Sequence, residues 1–190
     1  MSYPSTPSPS GIDITSITPT LTSYTHSGKR QTRSKGVQRW MFNISYAPLS
    51  RADLAPLYAF IIQQKGRKNT FSFTPPVYSN TSGSATGTLT VNGAHTDGDN
   101  TITALGLTGT LKAGDYIKFA NHDKVYMLVQ DGSTSLVIEP PLVNDVPDTT
   151  VVTYNNVPFT VALSDDEQGF SRGVVDLHSI SVSLEEVIND

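Results

Sequence analysis

The clearest pattern in the chain lies between Gln38 and Phe73. Apolar and polar residues first alternate, then apolar residues follow at helical spacing, and then the alternation resumes. Over Gln38 to Tyr46 apolar and polar side chains alternate, which predicts a strand with one buried face. The next apolar residues have the three-and-four spacing of one helical stripe. They are Leu54, Leu57, Tyr58, Ile61 and Ile62. Phe71 and Phe73 begin a second strand, which Pro75-Pro76 ends, so the stretch predicts a β-α-β unit.

The ends of this helix are marked by residues with known capping roles. Ser50 is suited to the N-cap, and Asp53, three residues later, completes the pattern of a capping box. Gly66 follows the basic residue Lys65 and is suited to stop the helix. These signals predict a helix over about residues 51 to 65.

Alternating segments on both sides of this unit predict further strands. Ile12, Ile14, Ile17 and Leu21 indicate an entering strand with an irregularity near Pro19. Near the end of the chain, Phe159 to Leu163 and Gly173 to Leu184 are predicted strands around the acidic turn Asp165 to Glu167. One face of the last strand alternates through six residues. They are Val174, Asp176, His178, Ile180, Val182 and Leu184.

The middle of the chain has a different composition. Val77 to Gly87 is rich in Ser, Thr and Gly and is typical of a linker. Six short strands with Asn-Gly and Asp-Gly turns between them follow, which predicts a small antiparallel barrel or sandwich. The strands are Thr88 to Val91, Thr101 to Leu105, Asp115 to Phe119, Lys124 to Gln130, Ser135 to Glu139 and Thr150 to Tyr154.

These elements predict a mainly β (α+β) protein with a split outer domain. The outer domain comprises residues 11–76 and 156–190 and carries the helix, while residues 77–155 form an inserted all-β module. Insertions of this kind are best tolerated at surface loops. Residues 1–10 are rich in Ser, Pro and Thr and predict a flexible N-terminal arm, mobile or ordered by a neighbouring subunit.

Composition narrows the classes of function. The 190 residues include no cysteine, which excludes disulfides and thiolate metal sites. The formal net charge of −4 argues against general binding of nucleic acid. No apolar run approaches the roughly twenty residues of a membrane span, and the N-terminus lacks the pattern of a secretory signal. We therefore expect a soluble protein with no membrane partner and no specific nucleic-acid partner.

A basic region stands out against this acidic background. Tyr24 to Gly36 is a polar connection, predicted as a long hairpin loop. Its basic residues are Lys29, Arg30, Arg33 and Lys35. One interpretation is a solvated loop, and the other is a contact with an acidic neighbour or with nucleic acid.

No arrangement of residues indicates catalysis or a bound metal. The four histidines do not have metal-ligand spacing, and Asp97 to Asn100 lacks the spaced oxygen ligands of a calcium loop. Nucleophile-elbow, phosphate-loop and dinucleotide-binding motifs do not occur in the sequence. The sequence therefore predicts a protein that is not an enzyme and has no cofactor, no catalytic residue and no metal site.

Aromatic residues of the outer domain mostly fall on its apolar faces and are interpreted as core. Phe60 differs because it lies off the main stripe of the helix. If Phe60 is exposed beside Leu49, it is a candidate subunit contact.

Several segments together resemble the minor tail or distal tail proteins of tailed bacteriophages. They are Arg39 to Phe42, Tyr46 to Ser50, Ala59-Phe60, Lys65 to Arg67, Phe71 to Phe73, Leu111 to Phe119, Lys124 to Tyr126, Ile138 to Leu142 and Leu177 to Val187. The resemblance covers most of the chain after Gly36 and consists of packing and turn patterns. It implies a helix-flanked β-sandwich of the tail-tube type, assembled as a ring, commonly a hexamer, around the tail channel.

The resemblance predicts a structural virion protein, made in the host cytoplasm, that joins the tail tube to tip proteins as a distal tail or baseplate-hub adaptor. Its implied partners are further copies of itself and the tube and hub proteins. Under this hypothesis Lys29, Arg30, Arg33, Lys35 and Phe60 are the candidate subunit contacts. Within the virion class, a tail tube subunit, a head-tail connector and a decoration protein remain open.

Two alternatives belong to other classes. The inserted module is a candidate carbohydrate-binding module, which in a virion would contact a glycan on the host surface. An enzyme of unrecognised type is the third reading.

Overall fold

The chain is mainly β, as predicted. The structure, a computed structural model, describes residues 1–173 and 176–189, which contain fifteen strands and one α-helix. In chain order these are β1 (Gly11–Ile17), β2 (Thr20–Tyr24), β3 (Arg30–Ser34), β4 (Arg39–Ser45), α1 (Arg51–Gln63), β5 (Phe71–Phe73), β6 (Leu89–Val91), β7 (Thr101–Leu105), β8 (Tyr116–Phe119), β9 (Val125–Leu128), β10 (Ser135–Glu139), β11 (Val151–Thr153), β12 (Phe159–Leu163), β13 (Ser171–Arg172), β14 (His178–Ser179) and β15 (Ser181–Glu186).

The chain divides into two compact units. One comprises Met1–Pro4, Lys68–Ala162 and Val187–Asp190, and is called here the barrel unit. The other comprises Ser5–Arg67 and Leu163–Glu186, and is called here the helix unit. The predicted division into residues 11–76 plus 156–190 and residues 77–155 stays a prediction.

In the helix unit, β4 pairs with β1 on one side and β15 on the other, both antiparallel. Phe42 faces Ile14 of β1 and Leu184 of β15, and it is fully buried. Trp40 and Ile44 are buried on the same face, whereas Asn43 is exposed. The alternation seen in the sequence therefore reports a strand with one face in the core.

The N-terminus of α1 has the predicted cap. Ser50 is the N-cap, and its hydroxyl oxygen accepts a hydrogen bond from the Asp53 backbone N–H at 3.3 Å. The Asp53 carboxylate accepts a 2.7 Å bond from the Ser50 hydroxyl, so the two side chains pair directly. The predicted capping position is correct because the Ser50 hydroxyl satisfies one of the N–H groups that the first helical turn leaves unpaired.

The other end of α1 differs slightly from the prediction. The helix ends at Gln63 with Gln64 as its C-cap, and both Lys65 and Gly66 have positive φ angles, of 58° and 64°. The left-handed turn therefore begins one residue before the glycine.

The buried stripe of α1 also differs at its last member. Leu54, Leu57, Ile61 and Gln64 are buried, whereas Ile62, which was placed in the stripe, is 53% exposed. Gln64 stays in the stripe because its side-chain N–H donates to the Phe60 carbonyl at 3.0 Å. A helix advances about 100° per residue, so Ile61 and Ile62 cannot both face the core squarely.

The predicted strand Gly173 to Leu184 is not one strand. Its residues form β14 and β15, which Ile180 separates, and Asp176 has a positive φ of 56°. β13 pairs antiparallel with β14, and the Gly173 N–H donates to the Leu177 carbonyl at 2.7 Å. Ile180, Val182 and Leu184 are buried as expected, Asp176 is exposed, and Val174 and Val175 lie outside the described residues.

The barrel unit contains a closed six-stranded antiparallel barrel with the order β10-β7-β6-β11-β8-β9. All six strands predicted for the middle of the chain are present, and of the two predicted forms the structure shows the barrel. Its interior is filled by side chains, among them Leu89, Ile102, Ile117, Tyr126 and Leu136. This filling agrees with the number of strands, because the interior of a barrel with about eight strands or fewer is narrow enough for side chains to fill.

The barrel unit also holds the β5–β12 pair and the first residues of the chain. Tyr3 is 8% exposed, stacks on Phe71 at 6.0 Å and meets Phe73 edge-on at 5.3 Å. The Tyr3 N–H donates to the Ser72 carbonyl at 2.8 Å, and the Ser72 N–H donates to Met1. One aromatic side chain and a short β-bridge between Ser2 and Ser72 thus connect the first residues to β5, while the flexible arm over residues 1–10 stays a prediction.

Across the described residues, α1 included, no helix has the length and apolar character that crossing a lipid bilayer requires.

Candidate functional site

The predicted basic region forms a two-stranded ribbon, β2–β3, in the helix unit. Its five cross-strand pairs run from Thr20 opposite Ser34 to Tyr24 opposite Arg30. The connecting turn is closed by the Thr25 N–H, which donates to the Lys29 carbonyl at 2.9 Å. The predicted long loop is therefore mostly regular hairpin, because β-forming Thr and Tyr residues flank a Gly-containing turn.

Both faces of this ribbon are exposed. Every residue of β2 and of β3 is exposed, including Leu21 at 53% and Tyr24 at 71%. No third strand among the described residues joins the two. The ribbon therefore presents two open edges of backbone N–H and C=O groups as well as two open faces.

The four predicted basic residues are distributed over this ribbon. Arg30 begins β3 opposite Tyr24, and Arg33 lies opposite Leu21. Because side chains alternate along a strand, Arg30 and Arg33 point to opposite faces. Lys29 lies in the turn and Lys35 follows β3 at the base, and residues 20–36 contain no Asp or Glu to balance them.

Lys35 also lines a groove of about 360 Å³ at the base of the ribbon. Ile17 and Val37, which are 40% and 41% exposed, contribute apolar surface to it. On its other side, Arg39 and Glu185 form an ion pair of 2.9 Å. The groove thus extends the basic and apolar surface of the ribbon to residues of β1 and β4.

Phe60, the remaining predicted contact, is half-buried, and Leu49 is half-buried too. The proposal for Phe60 required an exposed side chain, so its condition is not met. The helix turns Ile62 outward instead, as the buried stripe through Leu57, Ile61 and Gln64 dictates.

A second concave surface in the helix unit was not predicted. It is a pocket of about 620 Å³, called here the α1 pocket. The residues that line it are Arg51, Leu54, Ala55, Tyr58, Ala59, Phe170, Arg172, Asp176 and His178. Its volume lies within the range of small-molecule sites, roughly 300 to 1,000 Å³.

Aromatic rings meet edge to face along the α1 pocket. Phe170 packs against Tyr58 at 5.0 Å and against His178 at 5.5 Å between ring centroids. The Tyr58 hydroxyl donates to the Gln168 carbonyl at 3.3 Å, which ties the helix to the segment before β13. Backbone bonds between His178 and Leu49, of 2.8 and 2.9 Å, fix the other side.

One feature of the sequence, a histidine on an otherwise apolar strand face, could have indicated this pocket. His178 was considered only as a metal ligand and rejected on spacing, although it lies on the buried face of a strand beside Ile180. A histidine on an apolar face needs a partner or a function. In the residues that the structure describes, no group of three or more His, Cys, Asp and Glu is placed to hold a metal ion.

The chain is thus defined as a mainly β protein with a six-stranded barrel, an exposed basic ribbon and an aromatic-walled pocket. Compared with known proteins, its sequence matches no protein-family model. No curated protein matches it either.

Proposed function

We propose that the protein is a structural subunit of a tailed-bacteriophage virion. It forms a ring at the tail, as a distal tail or baseplate-hub adaptor, and joins the tail tube to tip proteins. The resemblance of its sequence segments to such proteins suggests the class. The observation that carries the proposal is the β2–β3 ribbon, whose two strands are exposed on both faces.

The ribbon supports assembly because it is poorly stabilised by its own chain. A two-stranded hairpin without a covered face is marginally stable in water. Leu21 and Tyr24 add exposed apolar area that a neighbouring copy would cover. In a ring each subunit inserts one surface into a different surface of the next, so one ribbon per subunit suffices.

Charge supports the same arrangement. Lys29, Arg30, Arg33 and Lys35 give the ribbon four positive charges, in a chain whose formal net charge is −4. The rest of the chain therefore carries a net charge of −8, since −4 minus +4 is −8. An acidic surface on the next copy is the natural partner of the ribbon.

The finer fold is part of this proposal. In the helix unit, a β1-β4-β15 sheet and α1 support a helix-flanked sandwich of the tail-tube type. The barrel, which lies within residues 77–155, supports an inserted module. Under the proposal the protein is made in the host cytoplasm and ends in the virion tail.

Light scattering coupled to size-exclusion chromatography tests the assembly directly. The purified chain should elute as a closed oligomer, with six copies expected, and electron microscopy should show rings. Arg30→Glu with Arg33→Glu should shift the protein to monomer, because both faces of the ribbon then repel an acidic neighbour. Each single substitution should show which of the two faces makes the contact.

A charge-matched control separates this effect from a general change in net charge. Lys65→Glu with Lys68→Glu reverses two exposed basic residues outside the ribbon and should leave the oligomer unchanged. Monomeric wild-type protein at all concentrations would reject the ring. Normal rings from the Arg30 and Arg33 double variant would reject the ribbon as its contact.

Copy number decides the position within the virion class. One six-fold ring per particle supports the adaptor, whereas many stacked copies would indicate a tube subunit.

The carbohydrate-binding alternative gains no support from the barrel, because four of the five aromatic residues in residues 77–155 are buried. Tyr78, at 58%, is the exposed one.

A further inference from the structure

The α1 pocket holds an imidazole with unused hydrogen-bonding capacity. The His178 side chain is 7% exposed, and neither ring nitrogen has a hydrogen-bond partner among the described residues. The nearest carboxylate oxygen, Oδ1 of Asp176, lies 3.9 Å from Nε2, which is too far for a hydrogen bond. Buried polar atoms in native proteins are nearly always paired, so an exception of this kind in a pocket wall points to a ligand.

The position of this imidazole is nevertheless well determined. Its backbone N–H and C=O both bond to Leu49, and its ring meets the Phe170 ring at an interplanar angle of 79°. The ring is therefore held by its neighbours, while both of its nitrogens are buried and lack a hydrogen-bond partner among the described residues. An imidazole presents at least one N–H donor in either protonation state.

The charged groups of the α1 pocket leave one positive charge unbalanced. Arg172 Nε donates to Asp176 Oδ1 at 2.9 Å, so these two charges compensate each other. Arg51 has no ion pair or side-chain hydrogen bond with any residue that the structure describes. A guanidinium presents two parallel N–H groups that match a carboxylate. One unbalanced guanidinium suits one negative charge better than the nearly two of a phosphate ester.

The rest of the α1 pocket is apolar. Leu54, Ala55 and Ala59 line it from α1, and the ring of Tyr58, also on α1, forms an aromatic wall together with the ring of Phe170. Phe170 is 44% exposed, so part of this wall is open to solvent. Such a wall favours a ligand with an apolar body that packs against ring edges and faces.

We propose that the α1 pocket binds a small molecule with an apolar, ring-sized body and one carboxylate. The carboxylate lies between Arg51 and the N–H of His178, and the body lies against Tyr58 and Phe170. This site is separate from the ribbon, so it does not depend on ring assembly.

Titration of the full chain with 3-phenylpropionate tests the site. The ring C–H signals of the four histidines are followed by NMR, and His178→Phe assigns the His178 signals while keeping an aromatic ring beside Phe170. The expected result is a saturable shift confined to His178. The neutral analogue 3-phenylpropan-1-ol, and acetate, which lacks the apolar body, should each bind at least about tenfold more weakly than 3-phenylpropionate.

Substitution of the exposed Arg51 keeps the test independent of folding. Arg51→Gln should raise the Kd for 3-phenylpropionate about tenfold or more, because a charge-assisted pair is lost. The matched variant Lys68→Gln should leave the Kd unchanged. The proposal fails if His178 signals do not shift, if the alcohol binds as well as the acid, or if Arg51→Gln has no effect.

Discussion

Asp115 fastens the start of β8 to the segment that leads into the barrel. Its carboxylate accepts hydrogen bonds from the Ser82 N–H and hydroxyl at 2.8 Å, from the Lys112 N–H at 2.9 Å and from the Thr81 hydroxyl. Burial raises the pKa of the Asp115 carboxyl, but these hydrogen bonds outweigh it and hold the pKa below its usual value. One buried charge thus organises two loops.

Asp115→Asn is expected to destabilise the chain by about 2 kcal/mol at pH 7, because an amide replaces a charged acceptor of several donors. The folded-state pKa is lowered, so the contribution is present above the unfolded-state pKa of about 3.9 and is lost as pH falls through the folded-state pKa. Urea unfolding at pH 7 and at lower pH should show the difference from wild type shrinking. Asp13→Asn, at an exposed position, should change stability by less than about 0.5 kcal/mol.

At the scale of elements, the strands of the helix unit have two different environments. β4 pairs with β1 and β15 and is buried on one face, whereas β2 and β3 pair with each other and stay exposed on both faces. The ribbon was predicted as a loop and residues 1–10 as a mobile arm. Both contain backbone pairing between strands that a short stretch of sequence does not reveal. Strand pairing depends on a partner distant in the chain, which local propensity cannot identify.

The N-terminal residues provide a test at this scale. Tyr3→Ala should cost about 3 kcal/mol of unfolding free energy, as for other buried aromatic residues, and should speed hydrogen exchange at the Ser72 amide. Tyr24→Ala is the matched control, since Tyr24 is 71% exposed and should leave monomer stability nearly unchanged. Equal effects of the two substitutions would contradict the observed packing of Tyr3.

At the scale of the whole molecule, closure distinguishes the barrel from the other sheets. Each of its six strands pairs with two others of the same six, so residues 77–155 contain the complete ladder. A closed barrel has no edge strand that requires a further partner. Tyr116 nevertheless meets Phe159 edge-on at 5.5 Å, so part of the barrel surface is covered by β12.

Residues 77–155 expressed alone should therefore fold, with cooperative unfolding and dispersed amide signals. Their stability should be lower than in the full chain, because Tyr116 loses its contact with Phe159. Extending the fragment to residues 68–163 restores β5 and β12 and should recover part of the difference. An unfolded shorter fragment would mean that the barrel does not form an independent domain.

The sequence by itself determined the local features that have a short-range cause: the cap at Ser50, the strand alternation around Phe42, and the six strands and turns of the barrel. Tertiary structure alone decided closure of the barrel, the burial of Tyr3 and the meeting of Arg51, Phe170 and His178 at one pocket. The physical reason is contact range. Caps and periodicity act over a few residues, whereas the pocket joins groups more than one hundred residues apart, which only folding brings together.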